Sequence, residues 1–256
     1  MKVLIYEPCY SGHHMADLSR LLVGLKALPV EIVVVTRPQT LESHEYQRML
    51  APIVDERIQV DACSRAPLDK PLWRLHLQQM MDVNRVVRRI QPDHLFLMMV
   101  DGTWMLHTLA AMCGWRVWPR RVVAEAYMIN GGMGYPNAAG WRNRLKQRLL
   151  TRVMRRGPLN RLLLLDELGV QFADARARPD DYCKVELSPA PVVVVDPVAK
   201  AQAREQLGLP TQGRLIVMMG FIDKLRGGMR VVNAFVEHHK SHPDDRLVLA
   251  GPHGPT

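Results

Sequence analysis

The stretch from Leu215 to Arg230 reads Leu-Ile-Val-Met-Met-Gly-Phe-Ile-Asp-Lys-Leu-Arg-Gly-Gly-Met-Arg. Its residue types suit the binding of a phosphate or diphosphate. Leu215 to Met219 is a continuous apolar run, expected as a parallel strand covered on both faces. Gly220 turns the chain, Lys224 and Arg226 stand in a short charged loop, and a helix is expected from about Gly227. Helix-start amides beside two cations form an anion-binding corner.

Four further places carry residues capable of chemistry. Ser11-Gly12-His13-His14 follows the first apolar run; Gly12 permits close backbone approach, and His13 or His14 can hydrogen-bond a hydroxyl or phosphate. Asp101 ends another apolar run. It reads either as a carboxylate that orients a hydroxyl or as an Asp-Gly turn capping the next helix. His238, His239 and His242 cluster before Pro243. His238 and His242 share a helix face, yet a helix C-terminus explains basic residues without a metal, and no metal site is expected. The fourth place is basic: no acidic residue occurs from Ala126 to Leu165, whereas Arg144, Arg148, Arg152 and Arg155 recur there. Trp141, Leu145, Leu149 and Val153 run beside them at four-residue spacing. That pattern fits either a helix lying on an anionic membrane surface or one packing its stripe on a sheet with a solvated basic face.

The elements that must position these residues follow from periodicity. Strands are expected over 2–6, Glu31–Thr36, His94–Val100, Arg121–Tyr127 and Leu162–Leu165. Helices are expected over Met15–Leu28, Leu41–Met49, Leu72–Ile90 and Trp104–Cys113. Alternating strands and helices over about 165 residues predict one Rossmann-like parallel domain. Only Gly12 is present after the first strand, so the dinucleotide glycine pattern is not met, and NAD or FAD is not expected. Pro179 to Pro197 reads as a loose connection with one valine run. Domain boundaries are placed at 1–190, a linker and short helix over 191–213, and a second Rossmann-like start over 214–256. Two strands with one helix are marginal alone, so this second part is expected either to pack on the first or to leave an exposed sheet edge.

Composition narrows the class. The 256 residues carry a net charge of +9, which favours phosphorylated, lipid or nucleic-acid partners. Aromatics at 6% disfavour base-stacking platforms, and no nucleic-acid motif is present. Cys9, Cys63, Cys113 and Cys183 are scattered, arguing against a disulfide framework and for a reducing compartment. No run reaches the ~20 apolar residues of a spanning helix, and the first residues do not form a signal peptide. A cytoplasmic protein, peripheral to the inner face of the membrane, is expected.

Leu207-Gly-Leu-Pro210, the strand that follows, Gly220, Arg226-Gly227, Ala234-Phe235 and Leu247-Val-Leu-Ala-Gly-Pro252 together resemble the start of the C-terminal domain of GT-B glycosyltransferases, above all the retaining family 4. The resemblance implies an α/β GT-B-like fold, with an N-terminal Rossmann-like acceptor-side domain and an incomplete second Rossmann-like domain that binds the donor. It implies transfer of a sugar from a nucleotide-diphosphate donor to a carbohydrate or lipid-linked acceptor hydroxyl, with no metal and no cofactor beyond the donor. Gly12, His13, Gly220, Lys224, Arg226 and Gly227 would then contact the donor, and Asp101 would stand at the catalytic edge. The family's Arg after the glycine is Phe221 here, and its Lys is Arg226. The family's paired glutamates lie beyond the second strand of this domain and are not reached by Thr256, so weak donor binding by this chain is expected. The alternative is a non-catalytic anion- or membrane-surface-binding module that keeps the scaffold.

Overall fold

The structure is a computed structural model. It describes residues 1–9, 14–64, 72–98, 100, 103–113, 117–119, 121–128, 140–165, 167–188, 197–220, 222 and 227–251. The chain divides into two compact units, Met1–Ala190 and Pro191–Thr256.

The first unit opens with β1 (Lys2–Tyr6), α1 (His14–Leu25), β2 (Glu31–Val35), α2 (Pro38–Leu41), α3 (His44–Met49) and β3 (Ile58–Asp61). It continues with α4 (Leu72–Ile90), β4 (His94–Leu97), α5 (Trp104–Met112), β5 (Val123–Met128), α6 (Trp141–Arg156), β6 (Arg161–Leu164), α7 (Glu167–Asp174) and β7 (Lys184–Leu187). The strands form a seven-stranded sheet in the order β3-β2-β1-β4-β5-β6-β7, with every neighbouring pair parallel. The chain winds outward from β1 in one direction, then returns to add β4 on the other side of β1. The β1/β4 junction is therefore the switch point, where an open parallel sheet leaves a crevice at its carboxyl edge.

Alternation along β1 divides the core in two. Leu4 and Tyr6 face a cluster that includes Met80, Val83 and Val87 of α4, Trp104 of α5 and Leu150 of α6. Val3 and Ile5 face Met15, Leu18 and Leu22 of α1 and Tyr46 of α3. Both faces of the central strands are thus sealed by helices, which is why their sequences are nearly continuous in apolar residues.

Several expectations change. Leu41–Met49 is not one helix. The Ser43 hydroxyl accepts from the Tyr46 N–H at 3.2 Å and starts a new helix, leaving Pro38–Leu41 as a separate turn. The stretch 179–197, expected to be loose, contains β7, an edge strand whose Lys184 and Glu186 are exposed. Edge strands tolerate such charges and are protected by them.

The second unit holds α8 (Pro197–Gln206), β8 (Leu215–Met219), α9 (Gly228–His239) and β9 (Arg246–Ala250), with β8 and β9 parallel. Gly227 takes φ 74° at the N-cap of α9, and Gly251 takes φ 154°. A Cβ at Gly251 would lie 2.0 Å from the Gly220 carbonyl oxygen, so both strands can end side by side only with glycine there. The expectation that β8 is covered on both faces fails: Ile216, Val217 and Met219 are exposed. A two-stranded sheet has too few neighbours to bury two apolar faces.

Candidate functional site

The carboxyl edge at the β1/β4 junction gathers the titratable groups. Beyond β1, the Glu7 N–H still donates to the Val35 carbonyl at 3.0 Å, so the backbone stays in register for one residue past the strand. This fixes the Glu7 side chain beneath the first turn of α1, where it is fully buried. Its Oε1 accepts from the Cys9 N–H at 2.8 Å, and its Oε2 lies 3.0 Å from Nδ1 of His14, the first residue of α1. Burial pushes the Glu7 carboxyl above its ordinary value. The His14 hydrogen bond and charge, the Cys9 N–H and the Arg37 charge all oppose that shift. An imidazole whose Nδ1–H is donated to a carboxylate carries its lone pair on Nε2 and gains a counter-charge when protonated.

Other groups sit beside this pair. Arg37, just past β2, is 5% exposed, and its Nε and Nη2 have no hydrogen-bond partner among the described residues. Its charge acts on Tyr6, Glu7 and Cys9 alike. Burial, then the Glu7 charge, raises the Cys9 thiol to about 11. One donor atom from each of Glu7, Cys9 and His14 lies within 4.8 Å of the other two. A cavity of about 40 Å³ opens against these residues and Thr103.

On the opposite face of β1 a buried network holds the strand in place. The Tyr6 hydroxyl donates to Asp82 Oδ2 at 2.9 Å, and the Ser64 hydroxyl donates to the same oxygen at 2.8 Å. Arg85 pairs with Asp82 Oδ1 and donates to the Cys63 carbonyl at 2.8 Å. Burial first, and then Asp82, holds the Tyr6 hydroxyl well above its ordinary value, so it remains a donor. Asp82→Ala removes the carboxylate that accepts from both hydroxyls and pairs Arg85. The expected loss is about 3 kcal/mol, read as a lower urea midpoint.

The residues singled out from sequence fall as follows. Gly12, His13, Asp101, Lys224 and Arg226 lie outside the described residues. Gly220 directly follows β8 and Gly227 is the N-cap of α9. Arg144, Arg148, Arg152 and Arg155 are all exposed along α6. The apolar stripe beside them is divided: Leu149 and Val153 enter the core, whereas Trp141 is 67% exposed and Leu145 39%. Leu109 and Met112 of α5 are also exposed and line a groove with Leu145, Arg148, Arg152 and Arg155. His238 is tied to Asp245, with Nε2 2.8 Å from Oδ2, while Asp245 Oδ1 accepts from the Arg214 N–H. That pairing fastens the end of α9 to the start of β8 and gives His238 a structural role. Glu7, Cys9 and Arg37 were not singled out. The available signal was an acidic residue directly after an apolar strand, seven positions before a histidine at a helix start.

Solved structures place this architecture. A UDP-GlcNAc 2-epimerase from Neisseria meningitidis, bound to UDP-GlcNAc, superposes with a TM-score of 0.57 at 12% identity, covering 98% of this chain and 66% of that one. A sucrose-phosphate synthase from Thermosynechococcus elongatus gives 0.59 at 12% identity, covering 99% and 63%. Anabaena HepE in complex with UDP and glucose gives 0.52 at 14%, covering 97% and 60%. The fold is therefore GT-B, with a parallel α/β sheet of the kind these proteins share. The chain spans less than two thirds of the length of each. No protein-family model matches it, and no curated protein matches it in sequence. Among the described residues no helix is long and apolar enough to cross a membrane.

Proposed function

We propose that the chain takes part in glycosyl transfer from a nucleotide-diphosphate-sugar to an acceptor hydroxyl. The observation that carries this reading is the Glu7–His14 pair at the switch point of a GT-B sheet. His14 takes the proton of the acceptor hydroxyl through Nε2, and Glu7 fixes the ring and stabilises the imidazolium. By the resemblance, diphosphate binding falls to Gly220, Lys224, Arg226 and Gly227 of the second unit, where helix-start amides and cations would stabilise the leaving group in place of a metal. A base on the acceptor favours a single displacement with inversion at the anomeric carbon. This departs from the retaining family that the second unit resembles. The test is nucleoside-diphosphate release from a panel of nucleotide-sugars at millimolar donor, with the product anomer assigned by NMR. Release with inversion is expected. Retention removes His14 from the role of base, and no release with any donor favours the scaffold-only reading.

The exposed apolar residues of α5 and α6 support a second element of the proposal, attachment to an anionic membrane surface carrying a lipid-linked acceptor. Trp141, Leu145, Leu109 and Met112 present apolar area beside four arginines. Each basic residue near an anionic surface contributes about 1 kcal/mol, so neutralising three should weaken binding on the order of a hundredfold. Reversing Arg148, Arg152 and Arg155 to Glu is expected to abolish co-sedimentation with phosphatidylserine vesicles, while neutral vesicles bind neither form. Unchanged sedimentation would make α6 an ordinary solvated helix.

A further inference from the structure

We infer that Glu7, Cys9 and His14 form a three-donor site for zinc, with a fourth coordination position facing the small cavity beside them. The donors are a carboxylate, a thiol and an imidazole, one atom of each within 4.8 Å of the other two. Mixed oxygen, sulfur and nitrogen donors suit borderline-soft Zn²⁺ and disfavour Mg²⁺ or Ca²⁺, which take oxygen alone. Bonds of about 2.0–2.3 Å in a tetrahedron separate donors by roughly 3.3–3.7 Å, so no pair has to close by more than about one ångström.

The surroundings fit an ion. All three donors line the cavity of about 40 Å³, which also meets Gln79 and Thr103. That is room for a water at the fourth position, with polar side chains to hold it. Glu7 is fully buried and shared between two short contacts, so its carboxylate is already fixed where the ion would sit. On binding, the Cys9 thiol proton leaves to solvent and the His14 ring proton moves from Nδ1 to Nε2, which frees the Nδ1 lone pair for the ion. Carboxylate and thiolate then balance the ion's two charges. Arg37, whose charge reaches both groups, faces a neutral cluster and not a second cation.

The site does not depend on the glycosyl-transfer reading. The two states exclude each other, because an ion that occupies Glu7 and His14 displaces the hydrogen bond between them. Loading should therefore suppress any activity that uses His14 as a base, but the decisive readout is spectroscopic. The full chain is titrated with Co²⁺ alone. One equivalent should produce a thiolate-to-cobalt charge-transfer band in the near ultraviolet with tetrahedral visible bands, and Zn²⁺ should erase both. Cys9→Ser, close to isosteric, should lose the charge-transfer band. His14→Gln should weaken cobalt by at least about a hundredfold, since even outer-shell partners are worth up to about that much. A measurement on the unaltered chain guards against misfolded variants: Zn²⁺ should slow alkylation of Cys9 and leave exposed Cys113 as reactive as before. Absence of the band at saturating cobalt, a band that persists in Cys9→Ser, or alkylation of Cys9 unaffected by zinc overturns the assignment.

Discussion

Glu7→Gln should leave the first unit folded, turn the His14 ring from its Nδ1–H to its Nε2–H tautomer, and cost transfer on the order of ten-thousandfold. The glutamine carbonyl can still accept from the Cys9 N–H, as Glu7 Oε1 does now at 2.8 Å. Its NH₂ then faces His14 Nδ1 where a carboxylate oxygen stood at 3.0 Å, and a donor meeting the ring forces that nitrogen to become the acceptor. The lone pair needed on Nε2 is lost although every heavy atom stays in place. Stability should hold or rise. The folded surroundings raise the Glu7 carboxyl, burial being the largest cause. A raised folded value means the group's contribution is complete below the unfolded value and is lost as pH rises through the folded one. Glutamine imitates the protonated form and removes that loss. Long-range ¹⁵N NMR of the His14 ring reads the tautomer directly, with urea midpoints and nucleoside-diphosphate release beside it. A ring that keeps its Nδ1 proton in the variant would show that Glu7 does not set the tautomer.

The same pair shows what the chain discloses without coordinates. Elements with long apolar periods were legible: β1 and β2 as valine- and leucine-rich strands, α4 as a helix over Leu72–Ile90, and the β8–Gly220–α9 order. Burial on both sides imposes such patterns, and the pattern can be read backwards. The edge strands were not legible. Ile58–Asp61 alternates apolar and polar over four residues, and Lys184–Leu187 does the same, because only one face of each is packed. Glu7 stayed hidden for a different reason. Beside Pro8 it looks like the residue that ends a strand. Its meaning comes from α1 returning His14 above it and from β4 pairing with β1, and strand order is set by tertiary packing, which no local spacing encodes. Arg37 is a similar case: in sequence it precedes Pro38 like any surface arginine, yet the β1/β2 register draws it into the interior. The apolar stripe of α6 was legible as a stripe but not as a divided one. Which half enters the core depends on where α5 ends against it, and Met112 and Leu145 remain outside.

His107 predicts the acid limit of the first unit. It lies in α5 at 1% exposure, with both ring nitrogens unpartnered among the described residues and its ring 5.3 Å from that of Trp118. Burial alone lowers its value from 6.5 to about 4. Above pH ~6.5 the ring is neutral in both folded and unfolded chains and costs nothing through protonation. As pH falls, the unfolded chain takes up a proton that the folded chain refuses until about pH 4. Stability should therefore decline across that window and then level, by about 3 kcal/mol at 1.36 kcal/mol per pH unit. The depressed carboxylate Asp55 loses its contribution lower, below its ordinary range, and the raised Glu7 carboxyl, which acts in the opposite direction, is the same in the wild type and in a His107 variant. His107→Leu replaces an unsatisfied buried polar ring with an apolar side chain of similar size. It should add about 1–3 kcal/mol at neutral pH and flatten the curve between ~6.5 and ~4. All five tryptophans lie before residue 190, so their fluorescence in urea titrations at several pH values follows the first unit. Equal acid slopes in the two proteins would show that His107 finds a proton acceptor or water in the folded state, and that its burial is not what limits the unit in acid.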